Sequence, residues 1–305
     1  MDTINDLKLF QAKEADVVLW TFKSSMREKK YAFKERWIKT SENLDNAIRE
    51  IITSQARKIE EVIQYSIITE NHATSALEIE SDETIMSIFI EMMNNQDEEK
   101  RALKSKELIN SEFYMIRMMH NEETLIAAKK LPSTWKTKRK KGVRNAIFSD
   151  HELDISEEET FEIYNSVDFF YIKGKIFIIN KNNFESILRY KLSYINDFSD
   201  LKNEPDFSEI FTSTEKLSDY VGTNKIQLRR STAIKTKGFY KNPIFMKNLK
   251  EKYKTYKLNI HFSEDGKIDP SKSDCRHIFQ ALLDHRLSSG FSENIYDVQD
   301  TSSVT

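Results

Sequence analysis

Cysteine is almost absent: Cys275 stands alone among 305 residues. No disulfide can close within the chain and no cysteine-built zinc cage can form, which points to a reducing compartment. Long apolar runs are missing as well. Nothing approaches the roughly 20 residues that span a bilayer, and the opening MDTINDLKLFQAKEADVVLW lacks the basic flank and apolar core of a secretory signal. A cytoplasmic protein is expected, one that reaches a membrane only through a partner.

An excess of either charge is also missing. The 47 Lys and Arg residues nearly balance the 49 Asp and Glu residues, leaving a formal net charge of -2, so total charge selects no class of partner. Glycine is scarce, six in all. A phosphate loop needs glycines where backbone N–H groups approach the phosphates, and VGTNK at 221–225 has one glycine at the wrong spacing. Neither a GxGxxG dinucleotide turn nor a GxSxG nucleophile elbow occurs. Each glycine is instead expected at a tight turn or helix end.

What is present is a substantial core. Hydrophobic residues make up 39% and aromatics 11%, enough to offset ordering entropy, and the length suits about two domains. ADVVLWTFK and KKYAFKERWIKT alternate around a polar stretch and predict an antiparallel hairpin. From Ser41, a plausible N-cap, the spacing of Leu44, Ile48, Ile51, Ile52, Ile59 and Ile63 predicts a helix. SDETIMSIFIEMMNNQ predicts another, with Ile85, Ile88, Phe89 and Met92 as its apolar stripe and Ser81 or Asp82 as its cap.

EFYMIRMMHNEETLIAAKKL reads as two strands around an asparagine-containing turn, and NAIFSDHELDIS as a further strand. VDFFYIKGKIFIIN is a hairpin closed through Lys173-Gly174-Lys175. Beyond Asn182 the pattern becomes helical: NNFESILRYKLSYINDFSDLK, PDFSEIFTSTEKLSDYV, NKIQLRRSTAIKTK, NPIFMKNLKEKYKTY and SDCRHIFQALLDHRL. A strand YKLNIHF, a turn SEDGKI and a final strand NIYDVQD complete the reading. The fold class is α+β: an antiparallel sheet with hairpins in the N-terminal and central parts, and a mainly helical C-terminal part closing with short strands. The expected domains are 1–155 and 156–305.

Catalytic patterns are weak. His151, Glu152 and Asp154 in SDHELD carry metal-ligating atoms, but an acidic turn between strands is the plainer reading. Asp168 and Glu185 are assigned structural places at a strand start and a helix start. Cys275 near His277 reads as a buried thiol on a core-facing helix rather than a nucleophile, and His285 as a cation at a helix end. No metal, no cofactor and no reaction are expected.

Charge distribution is the stronger signal. TWKTKRKKGVR at 134–144 combines Lys136, Lys138, Arg139, Lys140, Lys141 and Arg144 with Trp135, a stacking candidate. Lys225, Arg229, Arg230, Lys235, Lys237, Lys241, Lys247, Lys250, Lys252 and Lys254 run through thirty residues with Glu251 as the sole acid, accompanied by Tyr240 and Tyr253. Acids gather instead in SDHELDISEEETFE and NDFSDLKNEPDFSE. Basic segments interleaved with aromatics suit a phosphate backbone and its bases, so Arg229, Arg230, Lys235, Lys237, Lys241 and the Trp135 segment are the DNA-contact candidates. Masking of the basic segments by acids such as Glu157, Glu158 and Glu159 is a further expectation.

VDFFYIKGKIFIINKNNFESILRY and the stretch from LRRSTAIKTKGFYKNPIFM through IHFSEDGKI to LLDHRLSSGFSENIYDVQD resemble the KwaB family of the bacterial Kiwa antiphage system. The resemblance implies a cytoplasmic protein that binds double-stranded DNA non-specifically. It implies, too, a homodimer or higher assembly, recruited to the inner membrane by the membrane-embedded partner KwaA to block phage replication or late expression. Alternatives are a metal-dependent nuclease of a defence system and a structural partner of a membrane protein.

Overall fold

The computed structural model describes residues 4–27, 30–80, 84–131, 146–149, 152–155 and 161–298. The chain divides into two compact units, one from residues up to Tyr65 together with Asn71–Leu188, the other from Ser66–Glu70 together with residues from Arg189 onward.

The first unit opens with a short helix α1 (Ile4–Leu9) and the hairpin β1 (Asp16–Arg27) and β2 (Lys30–Ile38). Helix α2 (Glu42–Arg57) follows, with Ser41 accepting the Leu44 N–H at its N-cap. It stops earlier than the isoleucine spacing predicts. Ile59 continues the core, but Glu61–Gln64 forms β3, an edge strand parallel to β4 (Ser75–Glu80). Next come α3 (Thr84–Asn94) and the hairpin β5 (Phe113–His120) and β6 (Glu123–Lys130), turned at Asn121 with φ 53°. A separate two-stranded pair joins β7 (Ala146–Ser149) to β8 (Glu152–Ile155). The unit closes with β9 (Phe169–Ile172), β10 (Lys175–Ile178) and α4 (Lys181–Ile187).

Eight strands form one sheet in the order β2-β1-β5-β6-β9-β10-β4-β3, antiparallel except between β3 and β4. The β9–β10 pair, which the sequence assigns to the second domain, lies in the sheet interior between β6 and β4 and is part of the first unit. Both sheet faces are covered. Leu19, Tyr114, Ile116, Leu125, Phe170 and Phe177 share a core with Ile48 and Ile52 of α2. On the other face Phe22 stacks on Phe113 and meets Phe89 of α3, and Phe169 meets Phe184 of α4. Two-sided burial is why FYMIRM in β5 is buried throughout instead of alternating. Buried Arg117 interrupts that run and hydrogen-bonds the Met93 carbonyl, Asn94 and Gln96 at the end of α3. The stripe α3 buries is Met86, Phe89 and Met93; Ile88 is exposed, one position off the sequence expectation, while Ser81 and Asp82 lie outside the described residues.

The second unit is helical. Arg189 adopts a left-handed backbone, φ 61°, and so breaks NNFESILRYKLSYIND between α4 and α5 (Tyr190–Asn203). PDFSEIFTSTEKLSDYV is likewise two helices, α6 (Pro205–Ser208) and α7 (Glu215–Val221), separated where Phe211 bridges to Ile268. Helix α8 (Lys225–Lys237), capped by Asn224 and ended by left-handed Gly238, packs on α5. After it come α9 (Pro243–Lys252) and α10 (Cys275–Leu282), the latter capped by Asp274. Tyr194, Leu201, Phe207, Leu217, Leu228, Ile234, Ile278 and Phe279 form the core. YKLNIHF is no strand; Phe262 makes one isolated bridge to Ile268. The final strand is as expected, β12 (Ile295–Asp297) pairing with β11 (Arg286–Ser288).

Candidate nucleic-acid interface

The long basic run from Lys225 to Lys254 occupies α8, the turn after it and α9, all within the second unit. Its cations divide into two groups by what surrounds them. In α8, Leu228, Ser231, Thr232, Ala233 and Ile234 face the core, which leaves Arg229, Arg230, Lys235 and Lys237 half-buried along the flanks. Burial raises the Tyr220 phenol pKa, and nearby Arg230 opposes that rise. Lys237 extends toward the Leu283 carbonyl and the buried imidazole of His285, 3.5 Å from each.

Lys235 is bound more strongly. Its Nζ lies 2.9 Å from Asp197 and 3.2 Å from Asp200, both on α5, and the hydrogen bond to Asp197 is the main reason its pKa rises. Lys241 pairs with Glu204 at the end of α5. The same carboxylate accepts a 2.6 Å hydrogen bond from the Tyr240 hydroxyl, and Lys241 followed by Tyr240 holds Glu204 below the usual glutamate range. Burial, reinforced by Glu204, pushes the Tyr240 phenol well up. Asp197, Asp200 and Glu204 belong to NDFSDLKNEPDFSE. One of the acidic blocks that the sequence keeps apart from the basic run thus lies beside it in the fold, and Lys235 and Lys241 spend their charge there.

The second group is in and beyond α9. Lys247 and Lys250 lie on the face opposite buried Leu249; Lys252, Lys254 and Lys257 are exposed as well. Lys247 pairs with Glu251 at 3.9 Å. Among the described residues no carboxylate lies within ion-pair distance of Lys250, Lys252, Lys254 or Lys257. Lys254 places its ammonium 5.8 Å from the centre of the Tyr253 ring. Beneath α9 runs a groove of about 250 Å³ lined by Phe245, Asn248, Lys252, Tyr253, Tyr256 and Arg286. Cations rising beside an aromatic groove are the combination that holds phosphates and stacks bases.

The described candidates differ in what surrounds them. Arg229, Arg230, Lys235, Lys237 and Lys241 are half-buried or engaged by neighbours, while Lys250, Lys252, Lys254 and Lys257 are exposed. The sequence held the signal for the exposed lysines in its long acid-poor run, but not the information that would separate the two ends of that run. Trp135, Lys136, Lys138, Arg139, Lys140, Lys141 and Arg144 lie outside the described residues, as do His151 and Glu157, Glu158 and Glu159.

Several other described titratable groups hold structural places. Buried Asp168 accepts hydrogen bonds from the Lys130 N–H at 2.6 Å, the Asn183 amide at 3.0 Å and the Lys129 ammonium at 3.2 Å. Glu185, equally buried, accepts from the Tyr65 hydroxyl. Cys275 is buried at the start of α10, and burial raises its thiol pKa, opposite to the activation a nucleophile needs. Nδ1 of His277 is taken by the Asn259 N–H. Among the described residues no group of three or more His, Cys, Asp or Glu side chains is placed to hold a metal ion, and no helix is long and apolar enough to cross a membrane.

Residues 108–291 match the family model described as Kiwa protein KwaB-like. No curated protein and no solved structure matches the chain. The matched stretch begins ahead of β5, runs through α9 and its lysines, and ends past β11. It spans more than half of the sequence, and the chain belongs to the Kiwa protein KwaB-like family.

Proposed function

We propose that this chain, as a component of a Kiwa antiphage system, is its DNA-binding member and holds double-stranded DNA non-specifically through the exposed lysines of α9 and the turn that follows. The observation that carries the reading is that, among the described residues, no carboxylate lies within ion-pair distance of Lys250, Lys254 or Lys257, in contrast to the paired Lys235 and Lys241. Unpaired cations keep their charge available for phosphate, and their contacts release counterions whatever the base sequence. The groove lined by Phe245, Lys252, Tyr253 and Tyr256 brings aromatic side chains and a further exposed lysine into the same stretch of chain.

The wider proposal follows the family. The chain works as a homodimer or larger assembly, is drawn to the inner membrane by KwaA, and blocks replication or late expression of an infecting phage by occupying DNA without cutting it. A gel-shift titration of the full chain against unrelated duplexes, at several salt concentrations and with or without Mg²⁺ or Mn²⁺, tests the core of this. Similar affinity for every duplex, falling steeply with salt and leaving the DNA intact, supports the reading. Metal-dependent cleavage, or affinity that ignores salt, overturns it.

A further inference from the structure

A second cluster of cations sits in the first unit, on the α2-facing side of the β1–β2 hairpin, and no sequence pattern marks it. The antiparallel register sets Lys23 directly opposite Lys34 and Thr21 directly opposite Arg36. All four therefore project to one face, the face that carries Leu19 and Ile38 into the core nearby. Like charges placed directly across two strands repel, so this register disfavours the hairpin at that point. A three-residue turn, Ser105–Glu107, adds Lys106 to the same place. Together Thr21, Lys23, Lys34, Arg36, Lys106 and Glu107 line a hollow of about 300 Å³.

Four cations face one carboxylate there, and that carboxylate is already in use. Glu107 Oε2 accepts the backbone N–H groups of Leu103 at 2.8 Å and Lys104 at 3.0 Å, which fixes the turn and lowers its pKa. Among the described residues no acid lies within ion-pair distance of Lys23, Lys34, Arg36 or Lys106. Lys23 is half-buried, and burial together with Lys34 and Arg36 lowers its pKa. The nearby cation–acid pairs show that the chain can neutralise a lysine where it needs to. Lys100 is held 2.7 Å from Glu35, which lies on the opposite face of the same strand as Lys34 and Arg36.

We propose that this hollow is a binding pocket for phosphate groups, taking a compact phosphate-bearing anion such as the oligophosphate of a nucleotide. The volume is at the small end of ligand sites. Three ammonium groups and one guanidinium converge on it, the guanidinium able to engage two phosphate oxygens at once while each lysine adds a point charge. The buried Thr21 hydroxyl, now directed at the Arg36 carbonyl, completes the wall. An incoming anion would relieve the repulsion between Lys23 and Lys34, so occupancy should stabilise the hairpin itself. The pocket uses none of the α9 lysines and stands or falls separately from DNA binding there.

The test is thermal unfolding of the full chain without divalent metal, in inorganic pyrophosphate and in sodium chloride of equal ionic strength. Wild-type protein should melt several degrees higher in pyrophosphate. Lys34→Ala and Lys106→Ala, both at exposed positions, should lose that rise while melting in chloride no lower than wild type, and Lys250→Ala should keep it. Competition then separates the sources of phosphate: displacement of pyrophosphate by ATP indicates a free nucleotide, and displacement by a 5′-phosphorylated oligonucleotide but not by ATP indicates a nucleic-acid phosphate. The proposal is overturned if pyrophosphate does no more than chloride, if the rise survives in Lys34→Ala and Lys106→Ala, or if it vanishes in Lys250→Ala.

Discussion

The ammonium of Lys235 lies 2.9 Å from the carboxylate of Asp197, across the packing of α8 on α5. On the proposed function, that pairing removes Lys235 from the set of cations free to meet DNA, although the sequence places it in the middle of a basic run. Lys235→Ala is expected to leave DNA affinity within about twofold of wild type and, because the pair is only partly buried, to cost at most about 1 kcal/mol of stability. Parallel gel shifts and urea titrations would show both.

Glu204 couples Lys241 to the Tyr240 hydroxyl, and its folded pKa lies below the ordinary glutamate value. A depressed carboxylate contributes its full stabilisation above the unfolded value and loses it as pH falls through the folded value. Wild type should therefore melt above Glu204→Gln at about pH 6, and the gap should shrink as pH is lowered toward about 3. A gap that stays constant across that window would mean the carboxylate charge contributes nothing there.

Asp168 accepts three hydrogen bonds at the point where β6, β9 and α4 meet. Replacing it with alanine strands the Lys130 N–H and leaves the 13%-exposed Lys129 ammonium without that anion. Asp168→Ala is expected to destabilise by about 3 kcal/mol, lowering the urea midpoint with little change in slope.

The β9–β10 turn places both Lys173, φ 47°, and Gly174, φ 78°, in the left-handed region. A Cβ at Gly174 would touch nothing, so the cost of Gly174→Ala is one of backbone conformation alone, about 1 kcal/mol. Gly174→Asn should cost less, since asparagine tolerates this region better. Denaturant midpoints of the two variants give the comparison.

Local chemistry made much of this fold readable. Hairpins were visible because period-two alternation met turn residues such as Asn121 and Gly174, and α2 because Ser41 caps an apolar stripe. Expectations failed where a distant partner decides the outcome. Ile59 and Ile63 prolong the helical spacing of α2, yet Glu61–Gln64 gains a parallel strand partner from Ser75–Glu80 and leaves the helix. YKLNIHF begins in the turn after α9, with Lys257 left-handed, and among the described residues it pairs through the one Phe262 bridge to Ile268.

The same limit applies to function. Residues 225–254 look uniformly basic, but Asp197 and Glu204 reach Lys235 and Lys241 only after α5 folds against the segment that bears them. Lys23, Lys34, Arg36 and Lys106 are scattered in sequence and meet only through strand register and one turn. Motif reading has no means of finding either arrangement. The family resemblance rested on strands and helix starts across the C-terminal half, and the matched stretch from 108 to 291 contains them apart from the closing SENIYDVQD.

The central claim is that the lysines of α9, not those of α8, meet the phosphate backbone. The most direct measurement is the salt dependence of duplex binding for wild type, Lys235→Ala/Lys241→Ala and Lys250→Ala/Lys254→Ala/Lys257→Ala. Each lost phosphate contact should flatten the log–log slope by about 0.9, so the triple variant is expected to lose about two to three units of slope together with affinity for every sequence. The double variant should match wild type. An unchanged slope in the triple variant, or the larger loss in the double, would contradict the account.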